Sequence, residues 1–173
     1  MKTLFADAFY WVALLNPHDQ LHQTAREAAE AYSSARLVTT EAGLVGVLNF
    51  FSAFRLELRE AAAETVQDIL DDDRIAVVPS SHRTFMDGLE FYEARSDKNY
   101  SMVDCMSMRV MRDQDLRDVL THDQHFEQEG FTALLCPPPA LQKAELPLLD
   151  EATSDLDGEK RGSRLRARRG PGG

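Results

Sequence analysis

Short apolar runs alternate along the chain with longer segments in which apolar residues recur every three or four positions. The apolar runs have strand length, and they predict five strands at residues 3–7, 36–39, 74–78, 118–121 and 132–135. The intervening spacing predicts helices over residues 8–15, 22–35, 41–58, 59–70, 81–95 and 101–112. This alternation predicts an α/β fold in which helices cover both faces of a mainly parallel sheet.

The predicted helix over residues 41–58 is apolar around almost its whole circumference. Its apolar residues are Leu44, Val45, Val47, Leu48, Phe50, Phe51 and Phe54. A helix with this pattern is either deeply buried or part of an interface. The simplest interpretation places the three phenylalanines in the core, with contact across a dimer as a second role.

Four acidic residues lie where an apolar run stops or where a helix begins. Asp7, Glu41 and Asp123 each come at or just after the end of a predicted strand, and Asp104 opens the predicted helix 101–112. Because ligands of parallel sheets bind beyond the carboxyl ends of the strands, we expect the first three at one rim. Carboxylates brought together repel each other unless a cation holds them, and Mg²⁺ is the usual cation for oxygen ligands. The residues alone therefore indicate a metal-dependent phosphodiesterase.

Each of these acidic residues also has an ordinary structural interpretation when it is taken singly. Ser101 and Asp104 have the spacing of a capping box, and Glu41 would place a negative charge at the start of a helix. Asp7 and Asp123 would be turn residues that follow strands. Four such residues in one chain favour a shared site, and a capping role is compatible with it.

Other residues with potential chemistry give weaker signals. His122 and His125 flank Asp123, but the sequence offers them no third partner, and His125 is predicted to pack or to cap. Asp97 lies in the turn-like sequence SDKN and is predicted to be structural. Cys105 has no motif for covalent catalysis.

Composition narrows the class of protein. The 173 residues suggest one domain with a tail, and the hydrophobic fraction of 43% is enough for a core. The formal net charge of −10 repels nucleic acid at long range. A role on nucleic acid therefore requires bound divalent metal, a basic patch or a basic partner.

The sequence gives no sign of export or of a membrane. No apolar run approaches the roughly 20 residues that span a bilayer, and the N-terminal apolar stretch lacks a small-residue cleavage site. The two cysteines, Cys105 and Cys136, do not form a CxxC motif and predict neither a disulfide framework nor a zinc site. We expect a cytoplasmic protein.

The last part of the chain has a different composition. Cys136 precedes three consecutive prolines, and residues 137–173 lack periodicity, so we predict a folded domain over 1–136 and a disordered tail over 137–173. Residues 160–169, KRGSRLRARR, contain six basic residues. Such a run is usually a solvated tail, and attraction of RNA is the alternative.

The flanks of the four acidic residues resemble a known family. They comprise TTE at 39–41, VLNFF at 47–51, YSMVDCMSM at 100–108, LTHDQHF at 120–126 and GFTALL at 130–135. In this order they resemble the PIN-domain ribonucleases, and in particular the VapC-like toxins of bacterial toxin–antitoxin pairs, over about residues 1–136. The resemblance implies a three-layer α/β/α fold with a central parallel sheet. It also implies cleavage of single-stranded RNA with Mg²⁺ or Mn²⁺, a homodimer and a small antitoxin as partner.

The resemblance assigns the catalytic set to Asp7, Glu41, Asp104 and Asp123. We expect Asp7 and Asp104 to be direct metal ligands, and Asp123 to be a ligand or to act through water. Glu41 is expected to orient metal-bound water or to serve a second ion. Mg²⁺ takes only one or two carboxylates directly, so one ion and two ions both remain open.

Two positions depart from the family pattern. Phe9 stands where many relatives have Ser or Thr, and Gly46 lies near where many have a second Glu.

Two other functions remain open. The main alternative is a catalytically silent PIN-like module that regulates through its partner. A receiver-like signalling domain ranks lower, because no acidic residue adjoins Asp7 and no Lys occurs between Lys98 and Lys143.

Overall fold

The structure is a computed structural model that describes residues 1–135. The predicted tail over residues 137–173 lies outside the described residues, and so does Cys136, the last residue of the predicted domain.

One five-stranded sheet forms the centre of the fold, and all of its strands are parallel. The order across the sheet is β3-β2-β1-β4-β5. The strands are β1 (Thr3–Ala6), β2 (Arg36–Thr40), β3 (Ile75–Val78), β4 (Asp118–Leu120) and β5 (Thr132–Ala133). The first strand is therefore central, with β2 and β4 as its neighbours. The predicted parallel sheet is confirmed.

Seven helices cover the sheet within residues 1–135. They are α1 (Ala8–Leu15), α2 (His22–Ala31), α3 (Glu41–Phe51), α4 (Leu56–Asp71), α5 (His82–Glu93), α6 (Met102–Asp113) and α7 (Gln124–Gln128). None of these helices combines the length and apolar character that crossing a bilayer requires.

Two hydrophobic cores lie on opposite faces of the sheet, because side chains alternate along each strand. In β1, Leu4 and Ala6 join the core formed with α1 to α4, whereas Phe5 joins the core formed with α5 to α7. All three side chains are buried. The predicted three-layer α/β/α architecture is thus confirmed.

The prediction of one helix over residues 41–58 is wrong. Helix α3 ends at Phe51, a short turn follows, and α4 begins at Leu56. Leu44, Val47 and Phe51 are buried, as expected for the core. The other apolar residues of this region face solvent, and they are Val45, Leu48, Phe50 and Phe54. Only one stripe of α3 packs on the sheet, so the apolar circumference reflects an exposed patch as well as a core.

Close packing of α5 on α6 positions one of the acidic residues. A Cβ atom at Gly88 would come within 2.5 Å of Met106 Cγ, so only glycine allows the two helices to approach this closely. Since Asp104 lies in the first turn of α6, this contact helps to fix its place above the sheet.

Candidate active site

The sheet order brings three predicted site residues to neighbouring strand ends. Asp7 follows β1, Glu41 follows β2, and Asp123 follows β4 after a gap of two residues. These strands are adjacent, and the chain reverses its direction of progress across the sheet between β1 and β4. Crevices of this kind are the usual ligand sites of open parallel sheets. The predicted convergence at one rim agrees with this topology.

Asp7 is buried at this rim, with only 2% of its surface exposed. Thr121 Oγ1 donates a hydrogen bond of 3.0 Å to Asp7 Oδ2. The pKa of Asp7 is raised from its ordinary value of 3.8 to about 7, mainly by burial and next by the charge of Asp104, with a smaller contribution from Asp123, and hydrogen bonds from the Ala8 backbone and Thr121 oppose the rise. Asp7 therefore lies close enough to Asp104 and Asp123 for their negative charges to raise its pKa.

Asp104 lies in the first turn of α6 and completes a capping box. Its Oδ2 accepts a 2.8 Å bond from the Ser101 backbone N–H, and Ser101 Oγ accepts a 3.1 Å bond from the Asp104 N–H. The capping interpretation is thus confirmed. Burial nevertheless raises the pKa of Asp104, and the charge of Asp123 adds to the rise. The capping bonds hold the carboxylate in place and leave it electrostatically unfavourable.

Asp123 caps the N-terminus of the short helix α7, where its Oδ1 accepts a 2.9 Å bond from the His125 N–H. The hydroxyl of the fully buried Thr121 accepts a 3.2 Å bond from the Asp123 N–H. The same hydroxyl donates to Asp7. Thr121 therefore links two of the acidic residues, a role that the sequence analysis did not assign to it.

The His125 ring faces the same group of carboxylates. Its Nδ1 atom lies 3.3 Å from Asp123 Oδ1 and 3.9 Å from Asp104 Oδ2. One ligand atom from each of these three residues lies within 4.8 Å of the other two. The interpretation that His125 has no third partner is therefore wrong, because Asp104 supplies it from a separate helix.

Glu41 is held at a different position along the rim. Its Oε2 accepts a 2.6 Å bond from the Ser80 backbone N–H, just after β3. Neither Glu41 nor Asp7 is part of the group that Asp104, Asp123 and His125 form. The structure thus brings Asp7, Asp104 and Asp123 into mutual influence and ties Glu41 to the neighbouring loop.

The two departures from the family pattern both lie beside Asp7. Phe9 is 45% exposed, and its ring meets the His122 ring edge-on with centroids 5.0 Å apart. A Cβ atom at Gly46 would lie 3.6 Å from Ala8 Cβ, an ordinary contact distance. A side chain at position 46 would therefore begin next to Ala8, on the residue that follows Asp7.

The donor atoms of Asp104, Asp123 and His125 lie close enough together to share a divalent cation, and Asp7 lies beside this group. Within residues 1–135, the carboxylates of Asp7, Asp104 and Asp123 form no salt bridge with a lysine or an arginine. Their one ion-pair contact within these residues is His125, which is charged only when protonated. Buried carboxylates without a permanent positive partner are costly, and a bound metal ion would offset that cost. We call Asp7, Asp104 and Asp123 the acid pocket.

Comparison with known proteins agrees with the fold and the order of the motifs. The profile of the PIN domain family matches residues 4–131. No curated protein matches the sequence.

Three solved structures illustrate the likeness of fold. VapC20 of Mycobacterium tuberculosis, described as a toxin that cleaves the sarcin–ricin loop, has a TM-score of 0.67 at 22% identity and is covered to 96%, against 75% of this chain. VapBC2 of Rickettsia felis, bound to a promoter DNA fragment, has a TM-score of 0.56 at 10% identity, with 76% of this chain and 96% of that chain covered.

The third structure is DNA-bound VapBC of Salmonella typhimurium, with a TM-score of 0.54 at 14% identity and coverages of 77% of this chain and 97% of that chain. At these identities the structures establish the fold, and the profile match over most of the chain establishes the family. The predicted resemblance is therefore confirmed: this chain belongs to the PIN domain family.

Proposed function

We propose that the protein is a divalent-metal-dependent endoribonuclease that cleaves single-stranded RNA, and that it is the toxin of a toxin–antitoxin pair. The observation that carries this proposal is the acid pocket, in which three buried or half-buried carboxylates lie together with raised pKa values at Asp7 and Asp104. Such an arrangement costs stability, and function is the usual reason for that cost.

In this proposal Asp7 and Asp104 hold Mg²⁺ or Mn²⁺ directly, and Asp123 holds it directly or through water. When bound, the ion would neutralise charge on the scissile phosphate and lower the pKa of an attacking water. Thr121 fixes the Asp7 carboxylate by its hydrogen bond, and the Ser101 capping bond fixes Asp104. These contacts set the carboxylate positions before a substrate arrives.

In this proposal Glu41 is not a direct ligand of the ion and acts beside it. The Ser80 N–H holds one of its carboxylate oxygens, which leaves the other oxygen free to accept a proton from water or to approach a second ion. No nucleophilic side chain is required. Burial raises the pKa of the Cys105 thiol to about 11, and the charge of Asp104 adds to the rise, so Cys105 is unsuited to covalent catalysis.

The proposed substrate and biological setting follow from the relatives. VapC20 is described as a toxin that cleaves the sarcin–ricin loop, which is RNA. The formal net charge of −10 makes a bound cation the simplest means of attracting RNA to this protein. Growth arrest on expression, in a cytoplasmic location, is part of the same proposal.

A small antitoxin is the proposed partner, and a homodimer is the proposed assembly. Two of the similar structures are VapBC complexes on DNA. In this chain, α3, α4 and the turn between them expose Val45, Leu48, Phe50, Phe54 and Leu56. Helix α5 exposes a second set, Phe85, Met86 and Tyr92. Exposed apolar residues on two different parts of the chain support two protein contacts.

The test uses RNA cleavage with and without divalent metal. We expect purified protein to cut single-stranded RNA with Mg²⁺ or Mn²⁺ and to stop when a chelator is added. Asp104→Asn should abolish cleavage, because it removes one ligand charge and keeps the side-chain shape. Asp97→Asn is the matched control, since Asp97 is an exposed acidic residue paired with Lys98.

Two results would overturn the proposal. Cleavage by Asp104→Asn at the parental rate would remove the site assignment. Absence of any aspartate-dependent binding of Mn²⁺ would favour the silent regulatory module.

A further inference from the structure

We infer that His125 supplies a nitrogen ligand to the metal of the acid pocket, and that the site therefore selects Mn²⁺ over Mg²⁺. This inference rests on the proposed function, since it concerns the ion that the acid pocket would hold. It adds a residue outside the acidic set and a preference between two cations.

The first support is the placement of Nδ1 relative to the carboxylates. Ligand atoms at right angles around an ion with bonds of about 2.1 Å are roughly 3 Å apart. The Nδ1 atom lies 3.3 Å from Asp123 Oδ1 and 3.9 Å from Asp104 Oδ2. These separations are within about 1 Å of those that a shared ion requires, so only small side-chain shifts are needed to bind one.

The second support is that this nitrogen has no other use within residues 1–135. His125 Nδ1 is buried, and no hydrogen bond reaches it, although Asp123 Oδ1 is near. A buried polar atom without a partner is rare and costly in folded proteins. A metal ion bound between His125, Asp104 and Asp123 would give this nitrogen a partner.

The third support is that other contacts hold the ring in this position. The backbone N–H of His125 donates to Asp123 Oδ1, which ties the two residues into the first turn of α7. The Tyr100 ring lies against the His125 ring with centroids 5.1 Å apart. The Tyr100 hydroxyl in turn donates a 3.2 Å bond to Glu129. The imidazole is therefore oriented before any ion binds.

The chemistry of the donor set gives the preference. Mg²⁺ is bound in proteins by oxygen and keeps several waters. Imidazole nitrogen favours the transition metals, and Mn²⁺ is the member of that series that also accepts carboxylates readily. A site that adds the His125 imidazole to its carboxylates therefore discriminates against Mg²⁺ more strongly than a site built from oxygen alone.

The competing interpretation makes His125 a positive partner for Asp104 and Asp123. The two interpretations predict opposite effects of removing the ring. If His125 is a ligand, its loss weakens Mn²⁺ binding. If it is a positive partner, it competes with the ion, and its loss strengthens the binding of both cations.

The experiment measures metal binding in the full chain without RNA. Asn at position 125 can place an oxygen near the present position of Nδ1, so His125→Asn exchanges nitrogen for oxygen. His122→Asn is the matched control, because His122 also adjoins Asp123 but packs against Phe9 and lies outside the cluster. Titration followed by the Mn²⁺ electron paramagnetic resonance signal, with Mg²⁺ as competitor, gives both affinities.

We expect His125→Asn to lower the preference for Mn²⁺ over Mg²⁺ by about tenfold or more, and His122→Asn to leave it unchanged. Pulsed resonance of the Mn²⁺-loaded parental protein, with histidine labelled with ¹⁵N, should show coupling to a histidine nitrogen. This second measurement needs no variant, so it stays decisive even if His125→Asn folds poorly.

The outcomes separate this inference from the function it rests on. Mn²⁺ binding without nitrogen coupling, or with an unchanged preference in His125→Asn, overturns the role of His125 and leaves the nuclease proposal standing. Failure of the parental protein to bind Mn²⁺ at all overturns both.

Discussion

Tyr100 contacts Glu129 through its hydroxyl and His125, beside the acid pocket, through its ring, and the carboxylates at these two places have opposite electrostatic surroundings. Glu129 is surrounded by positive charge, with Arg95 Nε at 2.7 Å and Arg112 Nη2 at 2.6 Å. We call Glu129 and these two arginines the arginine cluster. In the acid pocket, by contrast, no lysine or arginine within residues 1–135 forms a salt bridge with Asp7, Asp104 or Asp123.

The pKa values move in opposite directions as a result. The bond from Arg95 is the main cause that lowers the pKa of Glu129, although burial opposes it. Burial is the main cause that raises the pKa of Asp7 to about 7. The same kind of side chain therefore stabilises the fold in one place and destabilises it in the other. The contrast distinguishes a structural ion pair from the site that we propose binds a cation.

The largest effect is expected from Asp7→Asn on catalysis. Loss of one charged ligand should reduce RNA cleavage by about 10²–10⁴-fold, because metal ligation contributes several kcal/mol to the transition state. Initial rates at saturating Mn²⁺ measure this loss. Glu129→Gln, read at a temperature where it remains folded, should keep at least about a third of the parental rate. Equal losses of cleavage rate in the two variants would mean that the acid pocket contributes no more to catalysis than the arginine cluster does.

The next effect is expected from Glu129→Gln on stability. The variant keeps the shape of the side chain but leaves both arginines without a negative partner, and they also lie over the Phe91 ring. We expect the melting temperature to fall by about 4–10 °C. Glu127→Gln, an exposed change in α7 two residues before Glu129, should shift it by less than about 2 °C. A similar shift in both would mean that the arginine cluster contributes little.

The fold could be predicted from sequence further than the site could. The strands are short apolar runs, and their alternation with helices indicates a parallel sheet covered on both faces, so the sheet and its two cores were within reach, whereas the order of the strands was not predicted. The end of α3 was missed because residues 52–55 contain no Gly or Pro to mark it. Helix α7 was missed because five residues are too few to show a period.

The site residues also fall into two sets, those that the sequence could predict and those that it could not. Asp7, Glu41 and Asp123 were predicted because position after a parallel strand determines which rim a residue occupies. The contribution of His125 and the link through Thr121 depend on side-chain directions within one turn, which periodicity does not give. Asp123 as an N-cap and Gly130, with a φ of 87° just after α7, were the available signals for that turn.

A smaller effect with a distinctive pH dependence is expected from Asp7→Asn in the metal-free protein. An acid whose pKa is higher in the folded state than in the unfolded state favours folding only while it is protonated. The parental protein should therefore lose stability as pH rises from about 4 to about 7, and Asp7→Asn should remove this loss.

At pH 8 we expect the metal-free variant to be more stable by about 1–4 kcal/mol, and at pH 4 the two proteins should be equal. Urea unfolding in the presence of a chelator measures both. Glu129 has the opposite linkage, so its contribution is present above about pH 4.5 and is lost as pH falls. If Asp7→Asn is less stable than the parental protein at pH 8, then Asp7 stabilises the fold, and the proposed contrast between the acid pocket and the arginine cluster is wrong.

The smallest effect is expected from Tyr100→Phe, which tests the residue that touches both groups. The hydroxyl donates to Glu129 in the arginine cluster, whereas the ring contacts His125 beside the acid pocket. Removing the hydroxyl alone should lower stability by about 0.5–1.5 kcal/mol, because Glu129 keeps both arginines. Because the ring is retained, Mn²⁺ affinity should stay within about twofold of the parental value. Tyr92→Phe on the exposed side of α5 is the matched control. A loss of Mn²⁺ affinity as large as that of His125→Asn would mean that the two groups of carboxylates are coupled through Tyr100, and that the structural cluster and the metal site form one cooperative unit.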